Sequence, residues 1–467
     1  MSVAYKSSWV ESLPLAMAAL GFSVFAVFAL ALKNDFLYWD DNIYTFQEPL
    51  VTNPAPATIV KILHSSHHGN YYPVTLLSFW IEYRIADMTP SIYHLTNLVL
   101  HILNTLICFR LLLRLSNNFK VAWLAALLFA IHPLRVEAIA WISARKDLLA
   151  ALFYLSAMFF YVYTYRQERL RNHIIIFLLH AGALMSKGTA VTLPIALLLI
   201  DYYQRAPLRL SLLLKKIPLF ALSLFFGVLA IRLQHDIGAT DTGLPPATFA
   251  QRVGIASYAS LFYFSKTIIP TELSAFYLYP VAAGYKIPQW FTWCTFVTAP
   301  LVASLLFVLR RNRAAIFGIL FFFVAIGPVL QLLSVGAAIA ADRYTYLPSV
   351  GLMFAVVSLF SRAFRHWPTI LLLAACALVV PTVMRIRVWR DTETLMTDQI
   401  AKYPSSVFAW NDRGVARMAL GRTADGFADY CVAVTLRPED PDAKENVKRT
   451  RNMLEKGRDL HQEQLTP

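Results

Sequence analysis

Apolar stretches recur along the chain from the N-terminus to about residue 385, separated by short polar connectors. Most are long enough to cross the roughly 30 Å hydrocarbon core of a bilayer as a helix, which satisfies its own backbone hydrogen bonds. The pattern predicts about eleven spans, near residues 12–32, 92–113, 121–134, 147–165, 173–186, 189–203, 216–234, 290–309, 314–333, 343–361 and 368–385. The predicted fold class is all-α, a polytopic transmembrane helical bundle.

Three apolar stretches need separate interpretation. Residues 72–87 and 253–269 contain polar residues or proline, and we expect both to be interfacial or re-entrant helices rather than crossings. The first stretch, residues 12–32, ends in Lys-Asn-Asp instead of a small-residue cleavage site. It is therefore predicted to be a span and not a signal peptide.

The chain turns polar at about residue 388 and shows a helical repeat pattern. Pro404 and Pro438 are 34 residues apart, the length of a tetratricopeptide repeat. The residues at the repeat spacing are Trp410, Gly414, Gly421, Tyr430, Ala433 and Pro438. We expect a membrane domain at residues 1–387 and a small tetratricopeptide-like helical segment at 388–467, with an unrelated amphipathic tail as the alternative.

Composition excludes a water-soluble domain as the main body, since 57% of the 467 residues are apolar and 15% are charged. The net charge of +14 does not indicate nucleic acid, because the basic residues lie in short connectors between apolar stretches. Those connectors, predicted to be cytoplasmic, are residues 110–120, 165–173, 204–216, 310–313 and 361–366. The alternate connectors, predicted to be extracytoplasmic, are residues 33–90, 134–147, 186–188, 235–289 and 334–343. Four widely spaced cysteines predict neither a disulfide framework nor a zinc site.

The first extracytoplasmic connector carries two adjacent acids, Asp40 and Asp41, just beyond the first span. A carboxylate there could act as a general base that deprotonates an acceptor hydroxyl while its oxygen attacks an activated sugar. Such a direct displacement inverts the anomeric centre. The alternative is that Asp40 caps a short helix beginning at Asn42.

Histidines and tyrosines follow in the same connector. His67, His68, Tyr71 and Tyr72 precede an amphipathic helix led by Pro73, and aromatic rings there suit a sugar or a membrane interface. The histidines and the two aspartates could also bind a divalent metal, but no pair at helical spacing fixes the geometry. No metal site is predicted, and metal dependence is left open.

The connector before the fourth span mixes acids, bases and histidine at one membrane edge: His132, Arg135, Glu137, Arg145, Lys146 and Asp147. An arginine presents a rigid fork of donors that suits a phosphate. The alternatives are that Arg135 anchors the chain at the membrane surface and that Asp147 caps the following helix.

Lys187 and the pair Asp342-Arg343 are isolated charges flanked by apolar residues, and ionisable groups in such settings are functional candidates. Cations that converge with the acidic connectors would accept a phosphate leaving group, so the sequence predicts a sugar-phosphate transfer site. Lys187, Arg343 and Arg145 are the predicted phosphate ligands. The predicted acceptor or sugar ligands are His67, His68, Tyr71, Tyr72, His132, Glu137 and Asp147.

The chain resembles the C-type glycosyltransferases (GT-C type), which use polyprenyl-phosphate sugars, and within them the transmembrane and tetratricopeptide-repeat O-mannosyltransferases. The resemblance lies in YWDDNIY, NYYPVTLLSFWIEYRI, YHLTNLVLHILNTL, AIHPLRVEAIAWISARKDLLAALFYL, SKGTAVTLPIALLLIDY, DRYTYLPSVG and the C-terminal repeat. It implies that Asp40-Asp41 supplies the base and that Lys187 and Arg343 hold the donor phosphate. The chain departs from the family in having Tyr72 where relatives have arginine before Pro73.

The predicted function is inverting transfer of a sugar from a polyprenyl-phosphate donor to a Ser or Thr hydroxyl of a protein, presented by the C-terminal segment. The donor is a substrate, and no tightly bound cofactor is expected. A bacterial inner membrane with a periplasmic site is favoured over the endoplasmic reticulum. The alternatives are a glycolipid or polysaccharide acceptor, a non-catalytic scaffold and a lipid transporter.

Overall fold

The computed structural model describes residues 8–165, 167, 169–207, 209–238, 247–279, 287–332 and 338–463. The first helices are α1 (Ser8–Phe28), α2 (Asp41–Tyr44), α3 (Pro49–Thr52), α4 (Ala57–His64), α5 (Pro73–Ala86), α6 (Pro90–Ser116), α7 (Phe119–Ile131), α8 (Val136–Ala140) and α9 (Arg145–Tyr163). There follow α10 (Leu170–Ser186), α11 (Leu193–Tyr203), α12 (Leu210–Leu214), α13 (Ile217–Asp236), α14 (Phe249–Ile268), α15 (Trp290–Val308), α16 (Arg313–Ile326), α17 (Pro348–Ala363) and α18 (Trp367–Val388). Short 3-10 helices lie at Ala29–Lys33, Pro133–Arg135, Ile142–Ala144, Gly188–Thr192, Gly327–Val329 and Asp342–Thr345.

The chain is a multi-pass helical membrane protein. Within the described residues, six helical runs are long and apolar enough to cross a bilayer, and α7 with Pro133–Ala140, bent by 60°, would make a seventh. Four shorter apolar runs accompany them, Leu170–Ser186, Gly188–Tyr203, Arg313–Val329 and Pro348–Ala363. Every predicted span overlaps one of these runs. The number of crossings, and the interfacial position of the helices α5 and α14, stay predictions.

A short antiparallel ribbon was not predicted by the all-α interpretation. Tyr277–Leu278 (β1) pairs with Ala338–Ala340 (β2), with Tyr277 opposite Ala340 and Leu278 opposite Ala338. Strands of two and three residues are too short to show an alternating pattern in the sequence. The ribbon joins two connectors that are far apart in the chain and leads directly into the turn at Asp342–Thr345.

The largest apolar core lies among α1, α6, α7, α9, α17 and α18, whereas α13 and α15 lie at its periphery. Large apolar side chains on α13 and α15 point outward, with Phe225 and Trp293 about two-thirds exposed (63% and 66%). Exposed apolar surface of this extent is compatible with lipid and not with water.

The C-terminal segment consists of α19 (Thr392–Lys402), α20 (Val407–Ala419), α21 (Thr423–Leu436) and α22 (Pro441–Glu463). The helices α20 and α21 approach closely at Gly414, where an added Cβ would lie 2.6 Å from the ring of Tyr430. This is the helical hairpin that the spacing of small and aromatic residues predicts. Its assignment as a tetratricopeptide repeat and the division at residue 388 stay predictions.

Close packing of α16 against α17 gives a test of the fold. A Cβ at Gly318 would collide with the carbonyl oxygen of Gly351, whereas a Cβ at Gly327 would meet nothing within 4 Å. We expect Gly318→Ala to cost about 1–3 kcal/mol through overpacking and to lower the thermal unfolding midpoint in detergent. Gly327→Ala is the control, and equal midpoints for the two variants would contradict this packing.

Candidate functional site

The site is built around residues 132–147, where the path of α7 breaks before α9 begins. Backbone that leaves a regular helix in a bilayer needs other hydrogen-bond partners. Asn97 of α6 supplies them, because its Nδ2 donates to the carbonyl oxygens of Ile139 (3.4 Å) and Trp141 (3.2 Å). The side-chain amide of Asn104 donates to the carbonyl oxygen of Leu148 over 3.0 Å. These bonds hold the irregular segment in one conformation.

Asp41 is wholly buried and holds two segments together. Its Oδ1 accepts from the backbone N–H and the hydroxyl of Ser143, at 2.8 and 2.6 Å, and its Oδ2 accepts from the backbone N–H of Leu37 at 3.0 Å. Burial raises the pKa of Asp41 to about 6, although these hydrogen bonds favour the charged form. Both oxygens are committed, so Asp41 fixes the first connector to residues 142–144.

Asp40 is half-buried, and its carboxylate faces positive charge. Burial raises the pKa of Asp40, while Lys146, Arg343 and His68 act in the opposite direction. A carboxylate whose pKa lies above its ordinary value is a stronger proton acceptor once it is ionised. Asp40 also precedes α2 without a side-chain capping bond, so the capping alternative is not observed.

Stacked rings connect Asp40 to the cations. Trp39 lies flat on Trp141, with ring centroids 4.6 Å apart and an interplanar angle of 12°. The guanidinium of Arg343 lies 4.9 Å from the Trp141 ring centroid. Because Trp39 adjoins Asp40 in the chain, one buried indole separates the acidic connector from Arg343.

Lys187 and Arg343 both line one small cavity of about 40 Å³, together with Asp147 and Tyr344. Lys187 Nζ donates to Asp147 Oδ1 over 2.6 Å, and Arg343 is paired with Glu137 through its side chain and through its backbone N–H, the latter at 2.7 Å. Burial lowers the pKa of Arg343, but Glu137, Tyr344 and Asp147 together outweigh burial, and the pKa is raised. Arg343 therefore keeps its charge in this setting.

Both cations keep donors to spare. An ammonium has three protons, and Lys187 uses one for Asp147. The buried Nε of Arg343 has no hydrogen-bond partner among the residues described, and neither has Oδ2 of Asp147. The remaining wall is largely apolar, formed by Ala150, Ala151, Ala190, Ala325, Val329, Leu347 and Pro348. The cavity thus combines anion-binding donors with an apolar face.

Lys146 is a further cation of this region, and it is not among the predicted ligands. Its Nζ lies 4.9 Å from the ring of Tyr44 and 5.5 Å from that of Trp141, and its charge lowers the pKa of Asp40. The signal in the sequence was its place between Arg145 and Asp147 at the start of α9.

Arg145 lies apart from the cavity. Its buried guanidinium donates to Glu82, to Asn97 Oδ1 (2.9 Å) and to the carbonyl oxygen of Tyr93 (2.8 Å), and it does not line the cavity. All three nitrogens of this guanidinium have partners and join α5, α6 and α9. The phosphate site that we propose therefore does not include Arg145.

The histidines and tyrosines of the first connector form a hydrogen-bonded turn. His67 Nδ1 lies 3.2 Å from Glu48 Oε2, and the hydroxyls of Tyr71 and Tyr72 donate to the carbonyl oxygens of Leu63 (2.8 Å) and His67 (3.3 Å). His68 is exposed and packs against Tyr44. Of these predicted ligands, His68 is the one whose charge reaches Asp40.

Two further candidates are buried at the helix break. His132 accepts from the backbone N–H of Leu134 at 3.3 Å, which caps the turn after α7. Arg135 donates to Thr345 Oγ1 at 2.6 Å, and its side chain is wholly buried in the protein. Among the described residues, no group of three or more His, Cys, Asp or Glu side chains is arranged to hold a metal ion.

A larger cavity of about 410 Å³ lies near the opposite ends of α9 and α10. The carboxylate that lines it, Asp201, is bonded to Lys216 Nζ (2.6 Å) and the hydroxyl of Tyr161 (2.5 Å). Asp201 is thus paired with a lysine and a tyrosine, whereas no hydrogen bond or ion pair of the Asp40 carboxylate is seen among the described residues. The Asp40 carboxylate is called open here for that reason.

The fold and this site define a polytopic membrane protein that gathers an acid and two cations at one edge of its bundle. No protein-family model matches the chain. It is 24% identical over 432 residues to Protein O-mannosyl-transferase F38B6.6 of Caenorhabditis elegans, which covers 87% of this chain and 60% of that protein. It is 31% identical over 180 residues to Protein O-mannosyl-transferase Tmtc1 of Drosophila melanogaster, which covers 36% of this chain and 20% of that protein.

A third relative is Protein O-mannosyl-transferase TMTC2 of Mus musculus, 33% identical over 155 residues, or 32% of this chain and 18% of that protein. The chain is therefore a distant homologue of the TMTC-type protein O-mannosyl-transferases, and the resemblance seen in the sequence is confirmed. It spans about three-fifths of the worm protein's length and about a fifth of the other two.

The thermal stability of two variants tests the different surroundings of Asp40 and Asp41. In Asp41→Asn, the new amide would set an N–H donor against another donor, at Leu37 or at Ser143. We expect a loss of about 1–3 kcal/mol, seen as a lower thermal unfolding midpoint in detergent. Asp40→Asn should leave the midpoint near that of the wild type, and the reverse order would contradict the assigned hydrogen bonds.

Proposed function

We propose that the chain is a membrane glycosyltransferase that moves a sugar, mannose in the first instance, from a polyprenyl-phosphate donor to a Ser or Thr hydroxyl of a protein. The observation that carries this proposal is that Arg343, which lines the cationic cavity, lies over the ring of Trp141, on which Trp39, the residue before Asp40, is stacked. Homology to protein O-mannosyl-transferases supports the choice of reaction.

The donor phosphate would bind between Lys187 and Arg343. Lys187 has two protons free of Asp147, and Arg343 has its unpartnered Nε, so both can bind phosphate oxygens without releasing their carboxylates. The apolar wall beside them suits the first isoprene units of a lipid whose tail lies in the bilayer. The phosphate of a lipid-linked sugar lies at the boundary between the bilayer and water, where the connectors that carry Lys187 and Arg343 are predicted to lie.

The reaction would proceed by direct displacement. Asp40 takes the proton of the acceptor hydroxyl, whose oxygen bonds to the anomeric carbon as the bond from that carbon to the phosphate oxygen breaks. The departing phosphate gains negative charge, which Lys187 and Arg343 stabilise. Attack opposite the leaving group inverts the anomeric centre.

The proposal also assigns roles to three neighbouring acids, a membrane face to the site and a role to the C-terminal segment. Asp41, Glu137 and Asp147 act as positioning residues, because each holds a loop or a cation in place. We place the site on the extracytoplasmic face, because basic connectors favour the cytoplasmic side. In a bacterial inner membrane, the compartment that we propose, this face is periplasmic. The C-terminal segment would meet the acceptor protein.

Loss of the base should abolish transfer without unfolding the protein. We expect Asp40→Asn to lower kcat by about 10²- to 10⁴-fold, the range for a positioned general base. The measurement is transfer of radiolabelled mannose from polyprenyl-phosphate mannose to a Ser/Thr peptide by purified protein, with other sugars tested in parallel.

Asp35→Asn is the matched control, because Asp35 is an exposed acid of the same connector whose carboxylate bonds only to the adjacent backbone N–H of Phe36 in the described structure. Unchanged turnover in Asp40→Asn would refute the assignment of the base. Absence of turnover with every donor would favour a scaffold, and turnover with lipid acceptors alone would favour glycolipid synthesis.

The phosphate site has its own test in Lys187→Gln. Glutamine can still donate to Asp147 but has no charge, so we expect kcat/KM for the donor to fall by about 10- to 100-fold, as for a lost charged hydrogen bond. Lys61→Gln, at an exposed lysine of α4, should change it little. A normal value for Lys187→Gln would exclude Lys187 from donor binding.

A further inference from the structure

The C-terminal segment contacts the first connector directly, next to Asp40. The ring of Phe408, on α20, lies 5.6 Å from the ring of Trp39 and 5.7 Å from that of Phe276. Trp39 is the residue immediately before Asp40. The second helix of the C-terminal segment therefore packs beside the proposed base.

Hydrogen bonds tie the two parts of the chain together around this contact. The backbone N–H groups of Asp35 and Tyr38 donate to the carbonyl oxygen of Arg390 (2.8 Å) and to Thr392 Oγ1 (2.9 Å). On the other side, Gln399 Oε1 accepts from Ser274 Oγ at 2.6 Å. These bonds fix the start of the C-terminal segment and α19, the helix before α20, against the first connector and against the connector that contains Ser274.

Asp412 lies one helical turn beyond Phe408, so both side chains are on the same face of α20. Burial raises the pKa of Asp412 well above its ordinary value, and the charge of Asp40 raises it further, while a hydrogen bond from Asn411 opposes this. Because Phe408 packs against Trp39, the residue before Asp40, Asp412 lies on the face of α20 that is turned toward the first connector.

Asp412 is half-buried and differs from Asp429, the buried acid of the same segment. Asp429 is paired with Arg413 and Arg417, each at 2.8 Å. Asp412 forms no ion pair with any residue that the structure describes. A carboxylate that is partly shielded from water is stabilised by a cation or by N–H donors.

We propose that Asp412 is a specificity-determining residue of the transfer reaction, which favours acceptor polypeptides carrying a cationic side chain next to the modified Ser or Thr. The inference rests on the proposed function and deepens it. It makes the C-terminal segment a wall of the site on the acceptor side of Asp40. A lysine or arginine of the acceptor would supply the missing partner of Asp412 while the neighbouring hydroxyl meets Asp40.

The test compares transfer to three peptides that differ only beside a single Thr, with Lys, Gln or Glu at the flanking positions. For the wild type we expect kcat/KM for the Lys peptide to exceed that for the Glu peptide by about 10-fold or more, the size of a partly screened charge interaction. Asp412→Asn should reduce that ratio by about 5-fold, with the Gln peptide and the donor KM little changed.

Two variants distinguish specificity from loss of structure. Asp412→Glu keeps the charge and should retain the preference for the Lys peptide. Asp442→Asn removes an exposed acid of the same segment and should leave the ratio unchanged. Thermal midpoints of all variants report whether α20 is still folded.

The outcomes separate the two proposals. A wild-type enzyme that glycosylates all three peptides equally, or an Asp412→Asn variant with an unaltered ratio, would overturn the role of Asp412 and leave the enzyme assignment standing. A wild-type protein that transfers no sugar to any acceptor would overturn both. A ratio that falls in Asp412→Asn and is restored in Asp412→Glu would support the inference.

Discussion

The structure depends on satisfying the polar groups of residues 132–147, almost all of which are buried within the apolar bundle. A helix interrupted there exposes backbone groups and ionisable side chains that lipid cannot solvate. Several of them find partners from different parts of the chain: Asn97 bonds the carbonyl groups, Asp41 bonds Ser143, and Arg343 pairs with Glu137. The requirement to bury this break accounts for the convergence of connectors that are distant in sequence.

The same partners prepare the cavity for an anion. Removing one member of a buried ion pair costs about 3–5 kcal/mol, so Glu137 and Asp147 hold Arg343 and Lys187 in place when no ligand is bound. The cations would not have to break these pairs in order to bind phosphate, because each has donors that the pairs do not use. Preorganisation of this kind lowers the cost of stabilising charge that develops on a leaving group. The ion pairs that satisfy buried charges in the fold are therefore the same contacts that the proposed chemistry uses.

Hydropathy predicted the helical bundle well, since the bilayer imposes one conformation on any long apolar stretch. The predicted span at residues 92–113 lies within α6, and that at 368–385 lies within α18. The charged residues were also found as a set, because isolated ionisable groups stand out against an apolar background. Lys187 and Arg343 could be predicted together on that basis, although they are not near one another in the chain.

Pairing could not be predicted, because it depends on the tertiary arrangement of the spans. Nothing in the sequence distinguishes Asp40 from Asp41, yet one is half-buried beside cations and the other is wholly committed to Ser143 and Leu37. Arg145 looked like a phosphate ligand by residue type, and its use by Glu82 depends on the approach of α5 to α9. Charge identifies which residues need partners, and only the packing of the helices decides which partners they receive.

The position of the C-terminal segment bears on how a membrane transferase would choose its acceptor. A repeat that only recruited a polypeptide could stand at any distance from the reacting groups and act by raising the local concentration. Here Phe408 packs on the ring of Trp39, so α20 would border the space that an acceptor hydroxyl enters if Asp40 is the base that we propose. A helix at that place would restrict the shape and charge of the acceptor during the reaction itself, and contacts made at that stage can alter the rate as well as the affinity. Substitutions on this face of α20 should therefore change kcat/KM between acceptors, which a distant recruiting surface would do mainly through binding.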